Sequence, residues 1–152
     1  MEQQANVREA TENDLAQVLQ LYAQPEIDDG VVLDLEHAKT LLARFAAYPD
    51  YKLYVALLEE KVVGSFALLI MDNLGHMGAK SGVMEDVVVD PTIHRKGVGK
   101  AMMSAAFEVC RAKGCYKLSL SANLKRDAAH SFYEAIGFER HGYSFLIPLE
   151  ET

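Results

Sequence analysis

Apolar positions recur along this chain at two spacings, and the switches between them lay out its elements. Residues 7–10 read as a short first strand. Thr11-Glu12-Asn13-Asp14 follows as a capping signature, and Leu15, Val18, Leu19 and Tyr22 continue at helical spacing. The stretch from Pro25 to Gly30 breaks that helix. A second starts near Asp34, carries Leu35, Ala38, Leu41, Leu42 and Phe45 on its apolar side, and ends at Tyr48-Pro49-Asp50. Residues 53–58 and 62–71 flank Glu59-Glu60-Lys61 as a hairpin candidate. Residues 72–82, rich in glycine and polar side chains, are expected to form a loop. Residues 82–89 are the fourth strand, and the run Val87-Val88-Val89 implies burial on both faces. A helix over about 98–112 places Val98, Met102, Ala105, Val109 and Ala112 along one stripe, and Gly114 terminates it. Residues 117–121 form the next strand and 127–136 the last helix, capped by Gly137; 138–141 and 143–149 close the sheet. This order predicts one α/β domain over residues 1–152, with a mixed, mostly antiparallel sheet and helices on both sides.

A chain of 152 residues can bury a sizeable single core. Its formal net charge of -7 argues against a nucleic-acid partner. The basic cluster from His94 to Lys100 stands out against that acidic background and suits a compact anion better than a long polyanion. Cys110 and Cys115 have neither metal-ligand spacing nor a disulfide framework and read as reduced thiols of a cytoplasmic protein. The first residues are polar and unlike a secretory signal, and no apolar run approaches the ~20 residues a membrane span needs.

Candidate chemistry concentrates between residues 87 and 109. A buried strand is followed by Asp90-Pro91, the loop His94-Arg95-Lys96-Gly97-Val98-Gly99-Lys100, and an apolar-periodic helix. Such a unit turns consecutive backbone N–H groups, and the positive end of a helix, toward one point. That arrangement suits a diphosphate. Gly97 and Gly99 would let the backbone approach it closely, while Val98 packs inward and lends its N–H.

The run His94-Arg95-Lys96-Gly97-Val98-Gly99, placed after a strand and opening a helix, resembles the coenzyme-binding motif of the GCN5-related N-acetyltransferases. His94 stands where that family usually has Gln or Arg. Ala129-His130-Ser131-Phe132-Tyr133-Glu134-Ala135-Ile136-Gly137-Phe138 resembles the family's second marker, with Arg126 at its Asn position and Asn123 three residues earlier. The opening from Val7 to Leu15 is also a usual family start. The likeness implies a GNAT acyl-CoA N-acyltransferase fold of six or seven strands, with a bulge in the fourth strand and a splayed fourth/fifth pair. It implies acetyl-CoA as co-substrate, direct transfer to a primary amine of a small molecule, and a homodimer. Within the family, Glu85-Asp86-Val87-Val88-Val89 points toward glucosamine-6-phosphate N-acetyltransferases. Asn123 to Tyr133 looks more like small-amine enzymes, including aminoalkylphosphonate acetyltransferases. A protein or peptide N-acetyltransferase and a non-catalytic acyl-CoA-binding module stand as alternatives.

The resemblance assigns the pantetheine arm to the backbone of Val87, Val88 and Val89. It gives the phosphates to His94, Arg95, Lys96, Gly97, Val98, Gly99 and Lys100, with Asn123 and Arg126 as further contacts. Tyr133, whose phenol starts near pKa ~10, is the candidate general acid for the leaving thiolate. Glu85 is the favoured base; Asp86, of opposite strand parity, is the second carboxylate. His76 and His130 are weaker candidates, and Tyr143 and Phe145 would line the acceptor site or a dimer surface. Cys110 lies too late in its helix to serve as nucleophile. No metal set is expected.

Overall fold

The computed structural model describes residues 4–25, 27–93, 97–122 and 126–149. The chain forms two compact units, Met1–Leu120 and Ser121–Thr152. The first holds a five-stranded sheet of β1 (Asn6–Glu9), β2 (Tyr51–Leu58), β3 (Lys61–Met71), β4 (Lys80–Val89) and β5 (Cys115–Ser119), hydrogen-bonded in that order. Its helices are α1 (Leu15–Tyr22), α2 (Leu35–Phe45) and α3 (Val98–Ala112). Strands β1 to β4 pair antiparallel, and β4 and β5 pair parallel, as a crossover through α3 requires. The mixed, mostly antiparallel architecture is therefore as expected, with five strands rather than six or seven among the described residues.

The capping signature works through charge. Thr11 N–H donates to the Asp14 carboxylate at 2.8 Å, and Arg8 grips the same carboxylate with both nitrogens at 2.8 and 2.9 Å. Asp14 is buried, and the Arg8 hydrogen bonds hold its pKa below the ordinary carboxylate range. This anchors β1 to the start of α1. Asp34 caps α2 by accepting from the His37 N–H at 3.1 Å. The β2–β3 hairpin closes tightly on Glu59 and Glu60, both left-handed, with Lys61 already in β3.

Strand parity divides the core. Leu15, Val18 and Leu19 of α1 cluster with Leu53, Val55, Val62, Ala67 and Val88 on one face of the sheet. On the other, α3 buries Val98, Met102, Met103, Ala106 and Cys110. The stripe predicted through Ala105 and Val109 is displaced by one residue, to Ala106 and Cys110. Gly64 of β3 lets α3 approach: a Cβ there would lie 2.6 Å from Met102 Sδ, 3.1 Å from Val98 Cγ1 and 3.3 Å from the Val88 carbonyl oxygen. Only Val88 of the valine run is fully buried; Val87 and Val89 are half-buried, because β4 loses a neighbour over that stretch.

The second unit contains α4 (Asp127–Ala135), closed by Gly137 at φ +107°. Arg140 pairs with Glu134. The two strands expected over 138–141 and 143–149 do not form. Alternation marks a segment as fit for a sheet, but a strand exists only once paired. Here Tyr143, Phe145, Leu146, Ile147 and Leu149 are all exposed.

Gly64→Ala should cost about 1–3 kcal/mol, as an overpacked core does. Urea denaturation would show a lower midpoint with unchanged slope.

Candidate functional site

The site begins where β4 stops being an ordinary strand. Between β3 and β4, Ala67 faces Glu85 and Ser65 faces Val88. One β3 residue, Phe66, therefore spans two β4 residues, Asp86 and Val87. Asp86 takes a left-handed conformation at φ +51°, tolerable for aspartate but rare inside a strand. This is a β-bulge. On the opposite edge, β5 accompanies β4 only as far as Val83, paired with Ser119. From residue 84 to 89 that edge has no strand partner among the described residues. The expected splay is thus present and begins one residue before Glu85.

Strict alternation sends Glu85 and Asp86 to opposite faces, and the bulge interrupts that alternation at Asp86. Both residues are exposed. Burial first, then Asp86 and Glu85, push the Tyr51 phenol up. Tyr22, at the end of α1, is pushed up by burial first and then by Asp86, with Asp28 adding to it. Asp86 is itself raised, chiefly by desolvation and then by the charge of Asp28, although part of its surface meets solvent. Asp28 is positioned by the end of α1, its N–H bonded to the Tyr22 carbonyl at 2.9 Å. Phe45 stacks on Tyr51 at 4.1 Å between ring centroids, and Tyr48 meets Tyr51 edge-on at 5.3 Å. Tyr22, Phe45 and Tyr51 thus pack on the face of the sheet covered by α1 and α2. Sequence reasoning did not single out these rings, since Tyr22 passes for an ordinary apolar helix position. The signal was there: four of the seven tyrosines fall between residues 22 and 54.

After Val89 the backbone is held for its turn. Gln24 Nε2 donates to the Val89 carbonyl at 3.0 Å, and Asp90 N–H to the Val63 carbonyl at 2.8 Å. The Asp90 carboxylate accepts from the Thr92 N–H and hydroxyl at 2.9 and 2.7 Å, which holds its pKa down. His94, Arg95, Lys96 and Asn123 lie outside the described residues. Gly97 precedes α3 at φ +73°, Val98 is buried beneath it, and Gly99 and Lys100 occupy the first helical turn. The leading N–H groups of such a helix have no intrahelical acceptor and can bind anionic oxygen. Of the two glycines, Gly97 is the one whose backbone needs to be glycine.

In the second unit, Tyr133 and Phe132 are half-buried, with ring centroids 5.5 Å apart, and Tyr133 meets Phe138 edge-on at 5.7 Å. Burial raises the Tyr133 phenol, while Arg126 pulls it the other way. Arg126 is the residue capping α4, and His130 is half-buried on that helix. His76 is exposed, left-handed at φ +55°, and stacked on Tyr116 at 4.5 Å. Cys110 is buried and its thiol is pushed well up by that burial, which makes it a poor nucleophile. No three His, Cys, Asp or Glu side chains among the described residues are grouped to hold a metal ion. An open groove of about 650 Å³ lies between α1 and the end of β4, lined by Gln17, Gln20, Gln24, Lys61 and Asp90. It includes none of the bulge residues.

A parallel strand pair whose pairing ends just before a bulge, followed by a glycine-started helix, matches the acyltransferase architecture that the sequence resemblance implies. The chain belongs to the acetyltransferase (GNAT) family, which it matches over residues 15–138. It is 41% identical over 81 residues to a glucosamine 6-phosphate N-acetyltransferase of Trypanosoma brucei brucei, covering 53% of each chain. It is 30% identical over 97 residues to an aminoalkylphosphonate N-acetyltransferase of Salmonella typhimurium, covering 64% of this chain and 62% of that one. The chain thus spans between about half and two thirds of the length of these curated relatives. Among solved structures, an acetyltransferase of Trypanosoma brucei superposes with a TM-score of 0.77 at 29% identity, covering 95% of this chain and 99% of the other.

Gly97→Ala should destabilise the fold by about 1 kcal/mol, the penalty of a left-handed L-residue, and Gly97→Asn by less. Denaturation of both variants checks the order.

Proposed function

We propose that the chain is an acetyl-CoA-dependent N-acetyltransferase that moves the acetyl group directly to a primary amine of a small molecule. The observation that carries the reading is the edge of β4 that has no strand partner from residue 84 among the described residues, with the glycine-started helix α3 next along the chain. The family match supports it, and because that match runs from residue 15 to 138 it also supports one catalytic domain spanning both units. The two curated relatives are named for amines on small molecules, which supports that acceptor class.

Backbone groups of Val87, Val88 and Val89 would pair with the pantetheine arm, and one N–H there would steady the developing oxyanion. The loop from His94 to Lys100, with Asn123 and Arg126, would hold the phosphates. Asp86 is favoured over Glu85 as base, because desolvation moves its carboxyl toward the working range and it sits in the bulge beside the open edge. It takes one proton from the acceptor ammonium. The amine nitrogen then attacks the thioester carbonyl carbon, the C–N bond forms, and the C–S bond breaks. Tyr133, still protonated at neutral pH, donates to the departing thiolate and recovers its proton as the nitrogen sheds its second. One proton is released per turnover. The exposed apolar run from Tyr143 to Leu149 supports a homodimer in which a second copy covers it, and the free thiols Cys110 and Cys115 support a reducing, cytoplasmic setting.

The test is titration with acetyl-CoA by calorimetry, followed by free-thiol release across an amine panel. Tyr133→Phe should lower kcat about 10²-fold with acetyl-CoA affinity retained. Unchanged turnover would remove that role. The base works ionised, so kcat/KM should climb with pH through an acid limb set above the usual carboxylate value of about 4. Asp86→Asn, which keeps the left-handed preference, should abolish that limb and most of the rate.

A further inference from the structure

Cys110 and Cys115 are the two thiols of the chain, and the way α3 ends puts them side by side. Lys113 caps the helix, and Gly114 follows it in a left-handed conformation at φ +76°, its N–H bonded to the Arg111 carbonyl at 3.1 Å. That bond belongs to a Schellman stop, in which the third residue from the helix end meets the second residue beyond the cap. Here those positions hold Cys110 and Cys115. The two thiols are in hydrogen-bond contact. Lys113, paired with Asp50, ties the turn to the residue before β2.

The pair is asymmetric. Cys115 is half-buried and opens β5, where it pairs with Lys80. Cys110 is buried with its sulfur against β4: a Cβ on Gly82 would lie 2.7 Å from Cys110 Sγ and 3.2 Å from Leu118 Cδ1. Gly82 pairs with Leu118, one rung before Val83 and Ser119, where β4 and β5 part. A disulfide brings two sulfurs far closer than a hydrogen bond does. Either Cys110 Sγ leaves Gly82, or Cys115 is drawn in from the first rung of β5. Both movements fall on the β4–β5 ladder.

We propose that Cys110 and Cys115 form a thiol–disulfide switch, oxidised by a small disulfide of the glutathione class, whose closure loosens the β4–β5 ladder beside the point where the two strands part. Cys115, the thiol that meets solvent, loses its proton and attacks one sulfur of the small disulfide. One thiolate leaves, and a mixed disulfide remains on Cys115. Cys110 then gives up its proton and attacks the Cys115 sulfur, expelling the second thiolate. The chain loses two hydrogens with their electrons, and the small disulfide gains them as two thiols. Burial first, then Cys115, push the Cys110 thiol up to about 12, so the second step is slow near neutral pH and quickens as pH rises. Excess small thiol reverses both steps.

The experiment treats the full chain with oxidised glutathione at pH 8, counts free thiols after unfolding, and weighs the intact chain and its peptides. Wild type should end with no free thiol, a mass lower by two hydrogens, and a cross-linked peptide joining residues 110 and 115, all reversed by excess reduced glutathione. Cys110→Ala should stop at a lasting glutathione adduct on Cys115. Cys115→Ser should leave the buried Cys110 unmodified, and circular dichroism checks that both variants fold. In oxidised wild type the amides of residues 118 and 119 should exchange about threefold faster or more, the effect of weakening one ladder hydrogen bond. Two free thiols in treated wild type, a lasting adduct there, a disulfide between two chains, or unchanged exchange at 118 and 119 would each overturn the proposal. Every readout is taken without acetyl-CoA, so the switch stands or falls apart from the transferase reading.

Discussion

A strand inside a sheet has two hydrogen-bonding edges, and β4 fills both only over its first half. Up to Val83 it is held by β3 on one side and β5 on the other. Beyond that point β3 still holds it, through the register slip at Asp86, while the β5 side has no strand partner among the described residues. Backbone N–H and C=O groups on an open edge seek partners, and a ligand with its own amides can supply them. The same slip falls at Asp86, so the open edge and the exposed carboxylates Glu85 and Asp86 lie on one stretch of β4.

The rest of the first unit holds that departure in place. Val88 is locked under α1, Gly64 lets α3 close on the opposite face, and Gln24 and Val63 secure the backbone at Val89 and Asp90, where the turn after β4 begins. The strain of a left-handed aspartate, roughly 1 kcal/mol, is offset by this packing. Acidic and basic functions are kept apart along the chain. The carboxylates gather at the bulge and the α1 turn, whereas the cationic cluster follows β4.

Much of this was readable from residue order. The helix 98–112 was legible to the residue because an apolar period runs from a glycine pair to Gly114. The hairpin was legible because two alternating runs flank a short polar break. The bulge itself was anticipated only through the family resemblance; nothing in β4's own residues marks it, since register is a property of two strands and Asp86 looks like any alternating position. The aromatic cluster on the α1–α2 face stayed hidden because Phe45 and Tyr51 meet only after the chain folds back. The pattern over 143–149 did announce strand-competent residues, but pairing depends on a neighbour that the pattern cannot name.

Backbone hydrogen exchange, followed with and without acetyl-CoA, bears most directly on the free edge. The amides of residues 85–89 on β4 and of residues 97–100 at the start of α3 should slow together when acetyl-CoA is present, while those of β1 and β2 stay unchanged. Protection confined to another surface, or none at the β4 edge under saturating acetyl-CoA, would contradict the account.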